Sequence, residues 1–378
     1  MFKKYTAAIL AGVVMCGALS VAPVQAKPGK DLRMIPIIVN GYKMKFPDTE
    51  PYINTDGRTM VPVRFVSEKL GASVKWEEAT KTVTMKFESK GIEMVIGSKT
   101  VKVNGESITL DTAAEKHEGR TMVPLRFVSE VLDTKVEWDE GAHSVRVTDA
   151  EYQAKIDSGK VKLDPWGREY SKTWDAYWMR LSDLEQTRLY KHIRTSGNRE
   201  YVEKQIDFDF KFYGDRWAER IQKYYAAQLN IDYRTINEKE FTETLISYTS
   251  HDSTYFEKKA RDVIKEYVAW VKKNKVIAKG YASPEISQVG DANDSRISVP
   301  VNFKFMILSA NDPSQVFLDN WIVNKLNAPI KLKKNVWYDG YSYVIMQTNY
   351  GNYIYRHFKI AHFDNMFLKN FSFYDELK

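Results

Sequence analysis

Around Asn40-Gly41, and again around Asn104-Gly105, apolar residues alternate with polar ones on both sides of an Asn-Gly pair. Such a pair tolerates two successive positive φ angles, the geometry of a tight hairpin turn, so each site predicts a β-hairpin. Downstream of the first, Thr59-Met60-Val61 reads as a strand, and Pro62 stands where a helix can begin because its missing N–H would be unpaired there anyway. Val63, Val66 and Leu70 then recur at helical spacing, as do Leu125, Val128 and Leu132 after the second hairpin. Gly71 and Asp133 follow, residues suited to the left-handed turn that ends a short helix. Ser73 to Trp76 with Thr82 to Phe87, and Lys135 to Trp138 with Ser144 to Thr148, predict a closing hairpin in each case.

The two series are copies. Gly57 to Glu68 reads GRTMVPVRFVSE and Gly119 to Glu130 reads GRTMVPLRFVSE; Val74-Lys75-Trp76 answers Val136-Glu137-Trp138, and Val39-Asn40-Gly41 answers Val103-Asn104-Gly105. A unit of about 60 residues buries little by itself, so the copies are expected to pack into one domain. The order of Asn-Gly hairpin, Arg-x-x-Val-Pro-[Val/Leu]-Arg and Val-x-Trp resembles the copper amine oxidase N-terminal-like, or stalk, domain. The resemblance covers about residues 34–149, in repeats of about 34–88 and 92–149. It implies a non-catalytic module of the kind found at the front of secreted proteins of Gram-positive spore formers. In true amine oxidases the copper and quinone chemistry lies in a separate catalytic domain, with a Thr-x-x-Asn-Tyr-[Asp/Glu] motif and a His-x-His pair. Here the nearest echo, Thr348-Asn349-Tyr350-Gly351, has its threonine beside the asparagine and a glycine in place of the acid. No oxidase activity, copper or other cofactor is expected.

After Thr148 the repeat register is lost. Residues 150–165 read as a charged linker ending in the turn Asp164-Pro165-Trp166-Gly167, and a second domain is expected over 166–378. Ser171 to Arg194, Asp215 to Leu229 and Tyr255 to Asn274 carry apolar or aromatic residues three and four apart and predict helices. From Ile297 to Ile307 every second residue is apolar, a half-buried strand, with Pro300 suggesting an edge position or a bulge. Further strands are expected at Val316 to Val323, Ser342 to Thr348 and Asn352 to Ile360. Helices followed by an antiparallel sheet make the chain α+β.

The chain opens with Lys3 and Lys4, an apolar run from Ala7 to Val24, and Val24-Gln25-Ala26. This reads as a signal peptide cut between Ala26 and Lys27, and so as a secreted, extracellular protein. Cys16 is the chain's one cysteine. Met15 precedes it where a lipid-modified cysteine takes a small residue, so cleavage leaves a mature chain without thiol chemistry. The net charge is +7, of which residues 27–150 contribute nothing, with 19 basic and 19 acidic side chains. The excess beyond residue 150 favours anionic envelope polymers only weakly, and nucleic acid is not an expected partner.

Candidate chemistry is sparse. There is no Gly-x-Ser-x-Gly, His-Glu-x-x-His, Walker or dinucleotide-binding motif. His357 and His362 fall on opposite faces of a continuous strand, so no metal site is expected. His251-Asp252 with Ser250 and Ser253 reads as a loop and helix N-cap. Trp174 and Trp178, four apart, read as core. Arg58, Arg64, Arg120 and Arg126 read as braces of the short helices. With Asn349-Tyr350-Gly351 as a hairpin loop, Tyr341, Tyr343, Tyr353 and Tyr355 share one sheet face, a candidate glycan-stacking face. The expectation is a non-catalytic, cell-envelope-associated binding or scaffold protein that binds wall polysaccharide. The alternatives are a secreted hydrolase acting on wall polymer and a sensor of a small ligand or protein.

Overall fold

A computed structural model describes residues 32–169, 208–251, 253–286, 290–291, 296–325, 332–347, 359–361 and 373–376. The expected cleavage site at Ala26 and Lys27, the helix expected over Ser171 to Arg194, and Tyr353, Tyr355, His357 and His362 lie outside them. The described residues from Leu32 onward group into one unit, with helices and antiparallel sheets in an α+β arrangement.

In the first repeat, β1 (Ile37–Val39) and β2 (Tyr42–Lys43) form the expected hairpin, with Asn40 and Gly41 at φ of 48° and 74°. β3 (Tyr52–Ile53) and β4 (Thr59–Pro62) lead into α1 (Val63–Lys69), which buries Val63 and Val66. Gly71 then takes the left-handed turn at φ 91°. β5 (Ser73–Glu77) and β6 (Thr82–Phe87) close the repeat. One strand, β7 (Lys90–Val95), intervenes before the second copy. That copy runs through β8 (Thr100–Val103), β9 (Glu106–Thr109), β10 (Glu115–His117), β11 (Arg120–Pro124), α2 (Leu125–Val131), β12 (Thr134–Asp139) and β13 (Ser144–Asp149).

The copies do not close on themselves. β13 of the second repeat pairs in parallel with β1 of the first, giving a sheet in the order β12-β13-β1-β2. The closing hairpin of the first repeat continues through β7 into the opening hairpin of the second, in the order β5-β6-β7-β8-β9. Between them β4 and β11 pair antiparallel, with Val61 opposite Val123. Each repeat thus completes its sheet with a hairpin of the other, and one apolar cluster runs through both, from Ile37 and Val66 to Val128 and Val145.

Part of the segment expected as a linker is helix α3 (Ala150–Asp157), whose first turn is capped by Asp149 Oδ1 accepting from the Tyr152 amide at 2.7 Å. Among the described residues the chain continues through α4 (Phe208–Leu229), α5 (Glu238–Tyr248) and α6 (Thr254–Asn274). The second sheet layer orders β14 (Ile231–Asp232), β15 (Ile277–Pro284), β17 (Arg296–Ser309), β18 (Trp337–Gln347) and β19 (Lys359–Ile360). β16 (Gly290–Asp291) adds to β17, and β20 (Phe373–Glu376) to β18. Ile297, Val299, Val301, Phe303, Phe305 and Ile307 all point into the core, as their alternation predicts, and Tyr225 of α4 meets Phe303 edge to face at 4.7 Å.

Two sequence expectations are corrected. Val316 to Val323 is not a strand: a 3-10 turn at Pro313–Gln315 leads into α7 (Leu318–Lys325). Phe317, Leu318 and Trp321 bury at helical spacing, and Asn320 Oδ1 accepts from the Phe317 amide at 2.8 Å, so capping overrides the β-branched residues. Pro300 is not on an edge strand, since β17 lies between β15 and β18. Its position is tolerated because β15 ends at Pro284, opposite Val301; Pro300 only accepts there, its carbonyl taking the Glu285 amide at 2.8 Å.

Candidate functional site: a groove between the repeats and a charged seam beneath them

The groove forms where the β10-β11 hairpin of the second repeat leans over α1 and the β5-β6 hairpin of the first. It is a cavity of about 230 Å³ lined by Arg64, Phe65, Val74, Trp76, Lys116 and Arg120, among others. Its chemistry follows from the local folds. Pro62 starts α1 and places Arg64 and Phe65 in the first turn. Strand alternation carries Val74 and Trp76 to one side of β5. Glu118 and Gly119, at φ of 48° and 83°, turn the β10-β11 hairpin so that Lys116 and Arg120 flank the opening.

The aromatic and basic groups interleave. The Arg120 guanidinium lies 5.4 Å from the Phe65 ring centroid, and Phe65 stands edge-on to Phe46 at 6.1 Å. Lys116 Nζ is 5.9 Å from the Trp76 ring and 4.0 Å from a Glu78 carboxylate oxygen, and Trp76 Nε1 donates to that carboxylate at 2.6 Å. Arg120 is committed: Nε and Nη2 donate to both Asp48 oxygens at 2.6 to 3.0 Å. Burial pushes the Asp48 carboxyl up, but the bonds from Arg120 and the Thr49 amide outweigh it and hold the group below the usual carboxylate range. Arg64 and Lys116 keep their charge toward solvent, at 47% and 54% side-chain exposure, each with one carboxylate at 3.9 to 4.0 Å.

Of the four arginines read as helix braces, Arg58 and Arg120 act across the repeats. Arg120 of the second copy holds Asp48 of the first, and Arg58 Nε of the first reaches Asp111 of the second at 2.7 Å, with Arg126 at 3.5 Å from the same carboxylate. Among the described residues, Arg64 pairs along its own helix, with Glu68. The equivalent corner of the second repeat differs. Trp138 repeats the Trp76 contact, donating to Glu140 at 2.5 Å, but the neighbouring loop is taken up by α4, where Lys211 reaches Asp139 at 3.1 Å.

Beneath the module, the face of the C-terminal sheet turned away from α4 forms a charged seam. Lys43 Nζ donates to Ser283 and Glu285 at 2.5 Å, and Arg168 Nη1 donates to the other Glu285 oxygen at 2.5 Å. Lys304 donates to the Phe46 carbonyl and to Glu50, both at 2.8 Å, while Lys45 meets Asp339 at 2.5 Å and Lys279 meets Glu118 at 2.6 Å. Trp337 lies under Lys279 and Lys304, at 4.9 and 4.7 Å, and stacks on Tyr281. Burial raises Glu285, but Lys43 and Arg168 outweigh it and the carboxyl sits low. At Glu50 burial wins over Lys304, and at Asp164 over Arg168, so both carboxyls sit high.

Tyr341 and Tyr343 of the candidate glycan face lie on β18, in register opposite Asn302 and Pro300. Ser342, Val344 and Met346 bury into the core while Tyr343 is half-buried, its hydroxyl pushed up by burial. Asp339, two residues before Tyr341 on that alternation, is held by Lys45 of the module. Around His251 the loop and cap reading holds geometrically: Ser253 Oγ accepts from the Phe256 amide, and His251 Nε2 lies 2.9 Å from Thr249 Oγ1. Among the described residues, no group of three or more His, Cys, Asp and Glu side chains could hold a metal ion. Trp76 entered the sequence reading only as part of the Val-x-Trp motif, and Phe65 and Lys116 were not expected at a site; the signal available was the recurrence of Trp with an acid two residues later in both copies.

Residues 38–147 match the family model of the copper amine oxidase N-terminal domain, from the middle of β1 to the fourth residue of β13. This is a non-catalytic, stalk-like domain. No curated protein matches the chain.

Proposed function

We propose that this is an exported, non-catalytic binding protein of the cell envelope, whose repeat module holds an acidic wall polysaccharide in the groove between its two copies. One observation carries this: Phe65 and Trp76 offer flat apolar surface beside Arg64 and Lys116, two cations whose charge is turned to solvent. Ring faces stack on the apolar faces of sugars, and half-solvated cations add attraction to carboxylate or phosphate substituents that weakens as salt rises. Export is supported by the sequence of residues 1–26, and the binding role by a matched domain that is non-catalytic.

The test is isothermal titration of the full mature chain with purified anionic wall polysaccharide at two salt concentrations. Binding that falls at least tenfold in Trp76→Ala, weakens in Lys116→Gln and persists in Trp138→Ala supports the groove. Equal loss in the two tryptophan variants, or no binding in any, overturns it.

A further inference from the structure

A second cavity, of about 180 Å³ and sharing no lining residue with the groove, lies where α3 and the turn before Arg168 cover the β12-β13-β1 sheet. We infer that it is a binding site for a compact oxyanion, a carboxylate or a phosphate, held by Arg146 with Lys135 at the rim.

Arg146 lines the cavity from β13, and its Nε is shielded from solvent with no hydrogen-bond partner among the described residues. A buried guanidinium N–H left unmade is costly, which is why such groups are nearly always satisfied by protein, water or a bound ion. The carboxylates nearby are otherwise engaged. Glu137, directly opposite Arg146 in the strand register, pairs with Lys135 at 2.9 Å, and Glu169 accepts the Tyr152 hydroxyl at 2.8 Å. Asp149 holds Asn40 and caps α3.

The walls are shaped by missing side chains. A Cβ on Gly167, at φ 83°, would stand 2.2 Å from Arg146 Cδ and 3.4 Å from its Nε, so only glycine lets the arginine cross that turn. A Cβ on Gly41 would stand 2.1 Å from the Tyr152 hydroxyl. Thr148 and Gln153 add neutral polar groups, and Ile38 and Leu163 apolar surface. The space exceeds that of a cavity of about 150 Å³, which accommodates a benzene-sized guest. The fitting ligand therefore has an oxyanion head for Arg146 and at most a short apolar tail. Guanidinium binds both carboxylate and phosphate through paired N–H donors, so the residues name the shared chemistry.

The test uses the full mature chain, titrated at constant ionic strength with sodium acetate, sodium propionate or sodium phosphate against chloride, following the Arg146 Nε–H resonance by NMR and the melting temperature. The expected result is a saturable shift of that resonance and a rise in melting temperature with at least one anion. Propionate above phosphate identifies a carboxylate ligand, and phosphate above propionate a phosphate ligand. The anion-dependent rise in melting temperature, which can be read in every variant, should fall at least tenfold in Arg146→Gln and severalfold in Lys135→Gln, and be unchanged in Trp76→Ala, which separates this site from the groove. If none of the three anions moves the resonance of the wild-type chain, or the rise in melting temperature survives in Lys135→Gln and Arg146→Gln alike, the inference is wrong.

Discussion

Lys43 Nζ lies 2.5 Å from Glu285 Oε1, with both side chains shielded from solvent, although 242 residues separate them in sequence. Glu285 also receives Arg168, so one carboxylate ties the first repeat, the turn after the module and the end of β15. Taking charges out of water is expensive, and the attraction repays it only while every partner is present.

Removing one member should therefore cost more than the pair contributes. Lys43→Met is expected to lower unfolding free energy by about 3 kcal/mol, and Glu285→Gln, which leaves two cations facing each other, by at least as much. Urea denaturation of both variants and of the double variant measures this, with the double variant less destabilised than the sum of the two.

The seam also sets a pH dependence with two limbs. Glu50 and Asp164 protonate in the folded chain above the usual carboxylate range of about 4, so stability should rise as pH falls from neutral through their folded values. Glu285 is held low; its contribution is complete above its unfolded value and is lost as pH falls through the folded one. Denaturation midpoints across pH should show Glu50→Gln flattening the mildly acidic rise and Glu285→Gln flattening the acidic fall.

The repeats supply an internal control for backbone strain. Gly41 and Gly105 take the same turn position at φ of 74° and 88°, but a Cβ on Gly41 meets Tyr152 and the Glu169 backbone while one on Gly105 meets nothing within 4 Å. Gly105→Ala should cost about 1 kcal/mol, the left-handed strain alone. Gly41→Ala should add overpacking of about 1–3 kcal/mol. Thermal denaturation of the two variants gives the difference directly.

The cross-repeat arginines should be asymmetric in effect. Asp48→Ala frees Arg120 from a two-pronged bond that is about one-third exposed, and solvent screening limits the loss to about 1 kcal/mol. Its larger effect should be on the groove, because Arg120 is then free to leave the Phe65 face. Titration with wall polysaccharide, compared with Arg58→Ala, checks whether affinity follows Asp48 and not Asp111.

What the sequence made legible was local. The Asn40-Gly41 and Asn104-Gly105 turns, the proline-started helices and the alternation from Ile297 to Ile307 each depend on neighbours within a few residues, and each stands as expected. Helix α5 was also within reach, since Asn237 caps it and Phe241 and Leu245 bury four apart. The groove was less so: Trp76 stands out only as the end of a repeated Val-x-Trp and Lys116 not at all, and they become a site only when the hairpin of one repeat crosses the other. The seam was hidden altogether. Lys43 and Lys304 stand on strands and Glu50 in the loop before β3, and nothing local distinguishes a lysine facing water from one facing a carboxylate across the fold.

The exchange of hairpins between repeats has a consequence in time. Ile37–Val39 is among the first strands made, yet beyond its own hairpin partner its neighbour in the sheet is Val145–Val147, at the far end of the module. As the chain grows, the first repeat has no finished sheet to join, and the entropy of closing that long loop falls due before any of its contacts are gained. A nascent chain ending inside the second repeat should therefore have no protease-resistant core. Protection of the opening hairpin should arrive in one step, when β13 becomes available.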